Sequence, residues 1–403
     1  MSPRLSPTAR PPSWLLGDAE LRYTLIISAV TVGVAVGLWR NARPDQQVPP
    51  QSWPSGAPAP RLSVIVPLRN EAANVAGCIG GLLAQRYPNF EVVAVDDQST
   101  DGTGAALTRR AAGDARLRVV PGAPLPPGWT GKNWAIQQGL AAAGLQAEWI
   151  LTLDADMRLE PDALAAALLY ARQVGADMLT LLPRLELGSF WEKVLVPHAG
   201  ELYSLLVGVM SQVNDPGSPV ASANGQFILL RRSVYEAVGG QAAVRGDVAE
   251  DWALAHRVKG AGYRLVMAQG PAILRARVYA GLGDLWAGFS KTLFPAAGRS
   301  LPRVALTILA LTGYGVVPPV RLALAALALR HDGRRDARRV RLGLIQVVPM
   351  LLLRGALARY LGLPPGYALA YPLAILLGDG MLLWSAWRYL SGRGLAWKGR
   401  TYD

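Results

Sequence analysis

The stretch LTLDADM, Leu151 to Met157, ends an apolar run in two carboxylates, Asp154 and Asp156, with one alanine between them. An Asp-x-Asp pair at a strand end presents the oxygen ligands a hard divalent cation takes. Mg2+ is commonly held by one or two carboxylates, with substrate phosphates completing its shell. A solvated turn or a helix N-cap ahead of Pro161 is the plainer reading, and an isolated pair does not separate the two.

The pair has company. Asp96 and Asp97 close the run EVVAV, and a doubled aspartate leaving a buried strand is unfavourable unless it meets a ligand or cation. Asp101 and Thr103, just after it, have the composition of a helix cap. Glu250 and Asp251 open a helical pattern through Trp252, Leu254 and Val258. Acids there offset the helix dipole, and a carboxylate beside a metal-bound phosphate is also what an acceptor hydroxyl needs to lose its proton. Lys132 in PPGWTGKNWA puts a cation near a helix start, suited to phosphate oxygens. The segment is not a P-loop, because Pro126 stands five residues before Gly131 and Asn133 follows the lysine.

The elements that must position these groups alternate regularly. Strand SVIVPL is followed by a helix from Glu71 to Gln85, strand EVVAVD by a helix from Asp101, RLRVVP by one from Gly131, WILTLD by one from Pro161, and then comes DMLTLL. Strands and helices at this spacing predict βαβ units in a mostly parallel sheet covered on both faces. Ligands of such sheets lie beyond the carboxyl ends of the strands, where both aspartate pairs fall.

Of the 403 residues, 51% are hydrophobic and 17% charged, and 41 Lys plus Arg against 28 Asp plus Glu leave +13. That excess suits an anionic partner; the apolar runs direct it to a membrane surface or a phosphorylated substrate rather than to nucleic acid. The single cysteine, Cys78, excludes an internal disulfide and a cysteine-cluster metal site. His198, His256 and His331 are scattered without ligand spacing, so any metal is expected on carboxylates.

Tyr23 to Trp39 is nearly free of charge and reads as a membrane anchor. A cleaved leader is the rival, but Asp18 and Glu20 precede the run and no small-residue cleavage site follows. Arg40 and Arg43 place the following domain in the cytoplasm. Residues 41–60 have linker composition. Apolar runs return at Val304 to Val320, Leu342 to Leu353 and Tyr367 to Trp387. The loop RHDGRRDARRVR and a tail with Arg388, Arg393, Lys398 and Arg400 both count as cytoplasmic by their charge, which demands an even number of crossings between them. The run from Val304 to Leu329, with Pro318, Pro319 and Arg321 at its centre, is then a re-entrant hairpin or a kinked spanning helix with an Arg-rich outer loop.

SVIVPLRNEAANV, VVAVDDQSTDGT, LTLDADM and the Glu250-Asp251 pair, in that order, resemble the inverting family 2 glycosyltransferases of GT-A fold. More narrowly, PLPPGWTGKNWA, SFWEKVLVP, VNDPGSP, NGQFILLRRSVYEAVGG, VYAGLGDLWAGFSK and WKGRTY are similar to membrane glycosyltransferases of the hopene-associated and carotenoid-modifying type, from about Leu62 onward. The resemblance implies an α/β GT-A domain, Rossmann-like and mostly parallel, between an N-terminal transmembrane helix and a C-terminal helical membrane region. The expected division is a tail over 1–21, a spanning helix over 22–39, a Pro-rich linker over 40–60, the GT-A domain over 61–280, an interfacial helix over 281–300, spanning or re-entrant segments over 301–390 and a cytoplasmic tail over 391–403.

By the same resemblance Asp96 and Asp97 contact the base and ribose of a nucleotide-sugar, and Pro67 and Glu71 shape the base pocket. Asp156 is the more direct Mg2+ or Mn2+ ligand, and Asp154 lies nearer the sugar-nucleotide. Lys132 stabilises the departing diphosphate, and Asp251, with Glu250 beside it, is the general base. Asn224, Gln226, Trp286 and Lys291 mark the acceptor region. The QxxRW motif of processive synthases is absent; Arg277, Trp286 and Lys291 in RARVYAGLGDLWAGFSK are its possible substitutes, which favours a single transfer. Trp286 and Phe289 equally suit interfacial anchors. Ser189 to Met210 is either a core helix or one lying on the bilayer that admits a lipid acceptor. The partners implied are a nucleotide-sugar of UDP-hexose type, the bilayer and an isoprenoid lipid such as a carotenoid or hopanoid, with the enzyme multi-pass in the cell membrane. A polyprenyl phosphate or glycerolipid acceptor is the alternative, and a catalytically silent membrane scaffold the non-enzymatic one.

Overall fold

The computed structural model describes residues 19–41, 46–328, 333–392, 395–397 and 400–402. The chain divides into two compact units. One comprises Met1–Trp39, Lys193–His198 and Pro302–Gly380; the other comprises Arg40–Glu192, Ala199–Leu301 and Met381–Asp403.

The larger unit is built on a seven-stranded sheet. Its first half runs β1 (Leu62–Leu68), α2 (Ala72–Leu83), β2 (Phe90–Asp96), α3 (Thr103–Ala111), β3 (Leu117–Pro121), α4 (Gly131–Ala142), β4 (Trp149–Leu153), β5 (Met157–Leu159), α5 (Ala163–Gln173), β6 (Met178–Leu182) and β7 (Arg184–Leu185), α1 (Ala19–Asn41) having preceded it. The second half runs α6 (Phe190–Val207), α7 (Met210–Asn214), β8 (Phe227–Arg231), α8 (Arg232–Ala237), α9 (Glu250–Gly260), β9 (Leu265–Gln269), β10 (Leu274–Ala276) and α10 (Leu282–Ala296). The sheet order is β3-β2-β1-β4-β8-β6-β9, with a small sheet β5-β10-β7 beside it.

The strands form because they are short β-branched runs buried on both faces, as parallel strands under helices must be. Val64 and Val66 face one layer, with Val75, Ile79, Leu164 and Leu168, while Ile65 faces the other with Ile136, Leu140, Leu254 and Val258. This is the period of two that a strand imposes. Leu151, 0% exposed, lies in the first layer, so Leu151→Ala is expected to destabilise by about 2–5 kcal/mol. Pro67 lies in an inner strand without breaking a ladder on the β4 side, because that pairing ends at Ile65↔Thr152.

The five expected strands and their intervening helices are present. The alternation does not anticipate β8, which enters antiparallel between β4 and β6, nor β9 and the small sheet. FILLR and LVMAQ are five-residue apolar runs, too short for periodicity to separate strand from helix.

The smaller unit contains the greater part of α1, α11 (Leu301–Gly315), α12 (Val317–Ala328), α13 (Gly333–Tyr360) and the first half of α14 (Tyr371–Leu390). Among the described residues, four stretches are long and apolar enough to cross a membrane: Ala19–Trp39, Leu301–Ala328, Ala337–Tyr360 and Pro365–Leu390. Pro318 and Pro319 occupy the first turn of α12, where a missing N–H breaks no helical bond. Two further short strands, Leu395–Trp397 and Arg400–Tyr402, pair antiparallel near the C-terminus.

Glu20 meets Arg339, and Thr24 accepts a hydrogen bond of 2.7 Å from Gln346. Residue numbers thus rise together, so α1 and α13 run parallel with their starts adjacent. Read as full crossings, α1 and α13 begin on the same face. Residues 1–18, 42–45, 329–332, 393–394, 398–399 and 403, including Arg43, Arg330, Arg393 and Lys398, lie outside the described residues.

Candidate active site

Three strand ends deliver the first half of the site. β1 and β2 end level, Leu68 pairing with Asp96, and the chain beyond each turns sharply: Asn70 and Gln98 adopt φ of 52° and 55°. Asp97 is buried, its N–H donating to Leu68 O at 2.7 Å. Arg69 donates to the Asp97 carbonyl at 2.6 Å and stands 3.9 Å from its carboxylate. Asp96 accepts from Ser99 N, and Glu71 from Asn74 Nδ2 at 2.7 Å. Asp101 accepts from the N–H groups of Ala72 and Thr103, each at 3.0 Å, and so does the capping work its position suggested.

At the end of β4, Asp154 N–H donates to Gln226 O at 3.1 Å, and Gln226 Nε2 lies 3.3 Å from Asp156 Oδ2. Burial, then the neighbouring charges of Asp154 and Glu71, push the Asp156 carboxyl up to about 7. Among the described residues no group of three or more His, Cys, Asp or Glu forms a closed metal site. Two crowded carboxylates with an open side suit a hard cation that completes its shell on substrate phosphates, and a cation there would relieve the repulsion that raises Asp156.

Lys132 is the centre of the arrangement. Its Nζ lies 2.8 Å from Asp154 Oδ1 and 2.8 Å from Glu250 Oε1, so it links the end of β4 to the start of α9. Burial works against its charge, but Asp154, Glu250 and Asp251 outweigh it and hold the ammonium well above the ordinary lysine value. Asp251 accepts from Gly225 N and from Trp252 N, at 2.8 and 2.9 Å. Burial, and next the Glu250 charge, push it up to about 7, against the pull of Lys132. A Cβ at position 225 would lie 3.0 Å from Asp251 Oδ2 and 3.1 Å from Lys132 Nζ, so only glycine leaves both groups where they are.

The structure therefore gathers Lys132, Asp154, Asp156, Gln226 and Glu250 through direct contacts, and Asp251 joins them beside Glu250 through the Gly225 N–H. Asn224 joins through Gln226, donating at 3.3 Å to its Oε1. Lys291, on α10, feels Lys132, Glu250, Asp154 and Asp251, and its value is lowered by burial first and Lys132 second. Trp286 is half-buried on the same helix, and no hydrogen bond or ring contact ties it to the acidic set.

Two sets of residues escaped the sequence reading. Asn133, 0% exposed, donates to Val244 O at 2.8 Å and Asp247 O at 3.1 Å and accepts from Gln241 Nε2 at 2.9 Å. It stitches the start of α4 to the approach of α9 and thereby sets Lys132 against Glu250; its place directly after the lysine was the available signal. Tyr203, hydrogen-bonded to Thr292, and Tyr279 form an aromatic arc with Trp252 and Phe289, ring centroids 5.3–6.2 Å apart. Tyr203 feels the charge of Asp251 and Tyr279 that of Asp156, so the arc runs beside both carboxylates.

Residues 63–239 match the model of the family Glycosyl transferase family 2. The 4,4'-diaponeurosporenoate glycosyltransferase of Staphylococcus aureus (strain USA300) is 25% identical over 350 residues, covering 85% of this chain and 88% of the relative. The enzyme of that name from strain MRSA252 matches to the same extent. Among solved structures, the mannosyltransferase PcManGT from Pyrobaculum calidifontis, in complex with GDP-Man and Mn2+, superposes with a TM-score of 0.56 over 93% of this chain and 99% of that one, at 22% identity. The shared fold is GT-A.

Proposed function

Taking the chain as a glycosyltransferase whose residues 63–239 are a family 2 domain, we propose that it transfers one hexose, with inversion, from a nucleotide-sugar to a membrane-dissolved isoprenoid of carotenoid or hopanoid type. The curated relatives are named for a carotenoid acid, and the four candidate spans suit an enzyme whose acceptor is dissolved in a bilayer. The observation that carries the reading is the placement of Asp251: raised, held by two backbone N–H groups, and joined through Glu250 and Lys132 to the Asp154–Asp156 pair.

In this reading Asp96, Asp97, Pro67 and Glu71 hold the nucleoside at the ends of β1 and β2. Asp156 and Asp154 would hold Mg2+ or Mn2+, which when bound supplies positive charge to the diphosphate. Lys132 exchanges its contacts with Asp154 and Glu250 for phosphate oxygens and stabilises the charge that grows as the bond to the anomeric carbon breaks. The acceptor oxygen attacks that carbon from the opposite face while its proton passes to Asp251. The products are the glycosylated lipid and a nucleoside diphosphate. A carboxyl pushed up to about 7 is a stronger base than an ordinary one and is still ionised in half the molecules near neutrality. An acceptor carboxylate has no proton to give, so Asp251 matters most for a hydroxyl.

Helix α6 begins with a capping box between Ser189 and Glu192 and exposes Phe190 and Leu205. We assign it to the route by which the lipid reaches Asp251. Leu205→Glu with Leu206→Glu is expected to abolish transfer to a lipid while nucleotide-sugar hydrolysis persists; unchanged lipid transfer would overturn the assignment.

A further inference from the structure

The smaller unit carries a polar cleft with no part in the chemistry above. It has a volume of 350 Å3 and lies among α1, α12 and α13, lined by Glu20, Arg321, Arg339 and Gln346 with Leu324 and Leu342 as apolar walls. Arg321 Nη2 and Arg339 Nε stand 3.5 and 3.3 Å from the same oxygen of Glu20. These are longer than the ~2.7–2.9 Å of a tight charge-assisted bond, and both guanidinium groups share one carboxylate oxygen. Arg321 also lies over the Tyr23 ring, 5.1 Å from its centroid.

Gln346 supplies an independent observation. It is 5% exposed, its Nε2 is spent on Thr24 Oγ1, and its Oε1 is buried with no hydrogen-bond donor. A buried acceptor left without a donor beside a cleft calls for one from whatever occupies it. The cleft therefore offers two cationic forks, one carboxylate, one unsatisfied amide oxygen and, next to them, Leu324 at 60% exposure on an apolar helix face.

We propose that this is a headgroup site for a phospholipid bearing a primary ammonium, of the phosphatidylethanolamine kind. Its phosphate takes the place of Glu20 on Arg321 and Arg339, where guanidinium forks match phosphate geometry. The Glu20 carboxylate and Gln346 Oε1 accept from the ammonium, and the acyl chains run along Leu324 and Leu342. The ion pairs exchange without leaving a charge uncompensated. A choline headgroup has no N–H to donate to Gln346, and a glycerol headgroup has no charge for Glu20. Basic pockets between membrane helices bind phospholipid headgroups by the same forces.

The test uses the full chain in detergent, titrated with phosphatidylethanolamine, phosphatidylcholine or phosphatidylglycerol of identical acyl chains and read by native mass spectrometry. One phosphatidylethanolamine per chain is expected, bound about tenfold more tightly than phosphatidylcholine. Arg321→Gln with Arg339→Gln is expected to remove most of that binding, and Gln346→Leu to erase the preference over phosphatidylcholine. Gln346→Glu, which adds a charge for the ammonium, is expected to strengthen binding, a gain that misfolding cannot produce. Equal binding of the ethanolamine and choline lipids, tighter binding of phosphatidylglycerol, equal binding of soluble phosphoethanolamine, or no change in the variants would each overturn the proposal.

Discussion

In the proposed mechanism, the donor half and the acceptor half of the site are built differently. The donor residues sit where buried strands stop, so their backbone is set by the sheet: Asp96 is the last ladder position of β2 and Asp97 follows it, while Asp154 and Asp156 lie one and three residues past Leu153, the last ladder position of β4. The acceptor residues sit on helix starts and on a turn, Gly225 and Gln226 before β8, Glu250 and Asp251 at the head of α9, and their positions depend on side chains such as Asn133 and on a glycine that leaves space. Strand ends hold a ligand firmly, while the turn and helix starts hold the base at the donor's edge. Lys132 bonds to both halves, and the Gln226 side chain adds a second link by donating to Asp156.

Removing the base should have the largest effect. Asp251→Asn is expected to lower transfer to a hydroxyl acceptor by about 10^2–10^4-fold, in a single-turnover assay with saturating nucleotide-sugar; a much smaller loss with a carboxylate acceptor would sharpen the division of labour. Lys132→Met cuts one link between the halves and removes a group that meets developing negative charge, so about 10^2–10^3-fold in kcat is expected, with Asp251 still in place.

The pH dependence separates the halves next. Asp251 must be ionised to accept a proton, so kcat/KM for a hydroxyl acceptor should fall about tenfold per pH unit below about 7 and level off above it. The sign for stability is opposite. A carboxyl raised in the folded state favours the fold below its ordinary value, and that advantage is lost as pH rises through about 7. Asp251→Asn is therefore expected to raise Tm at pH 8 while abolishing activity, whereas a merely structural carboxylate would lower both. The smallest effect is expected at Gly225→Ala: about tenfold in activity, an estimate from a displacement of well under 1 Å, with Tm nearly unchanged by calorimetry.

The membrane unit admits its own test. A cysteine at position 333 should react with an impermeant reagent from the face where α1 begins. Labelling only from the catalytic domain's side would support the re-entrant reading of Pro318 and Pro319.

What could be read beforehand follows the same division. Strands such as SVIVPL and WILTL announce themselves because burial on both faces requires unbroken β-branched runs, and aspartates at their ends stand out because nothing else in such a run is polar. Lys132 was legible as a cation at a helix start, but its partners were not, since Asp154 and Glu250 are 22 and 118 positions away. β8 was illegible because antiparallel insertion leaves no mark on a five-residue apolar run. Asn133 and the Tyr203–Tyr279 arc were missed because a buried amide and scattered aromatics acquire meaning only through contacts distant in sequence.

The most direct measurement is lipid extraction from membranes incubated with nucleotide-hexose and the purified chain, wild type or Asp251→Asn, with products weighed by mass spectrometry. An isoprenoid gaining one hexose increment is expected with the wild-type chain, and only a trace of it with the variant. The same product formed at the same rate by Asp251→Asn would contradict it.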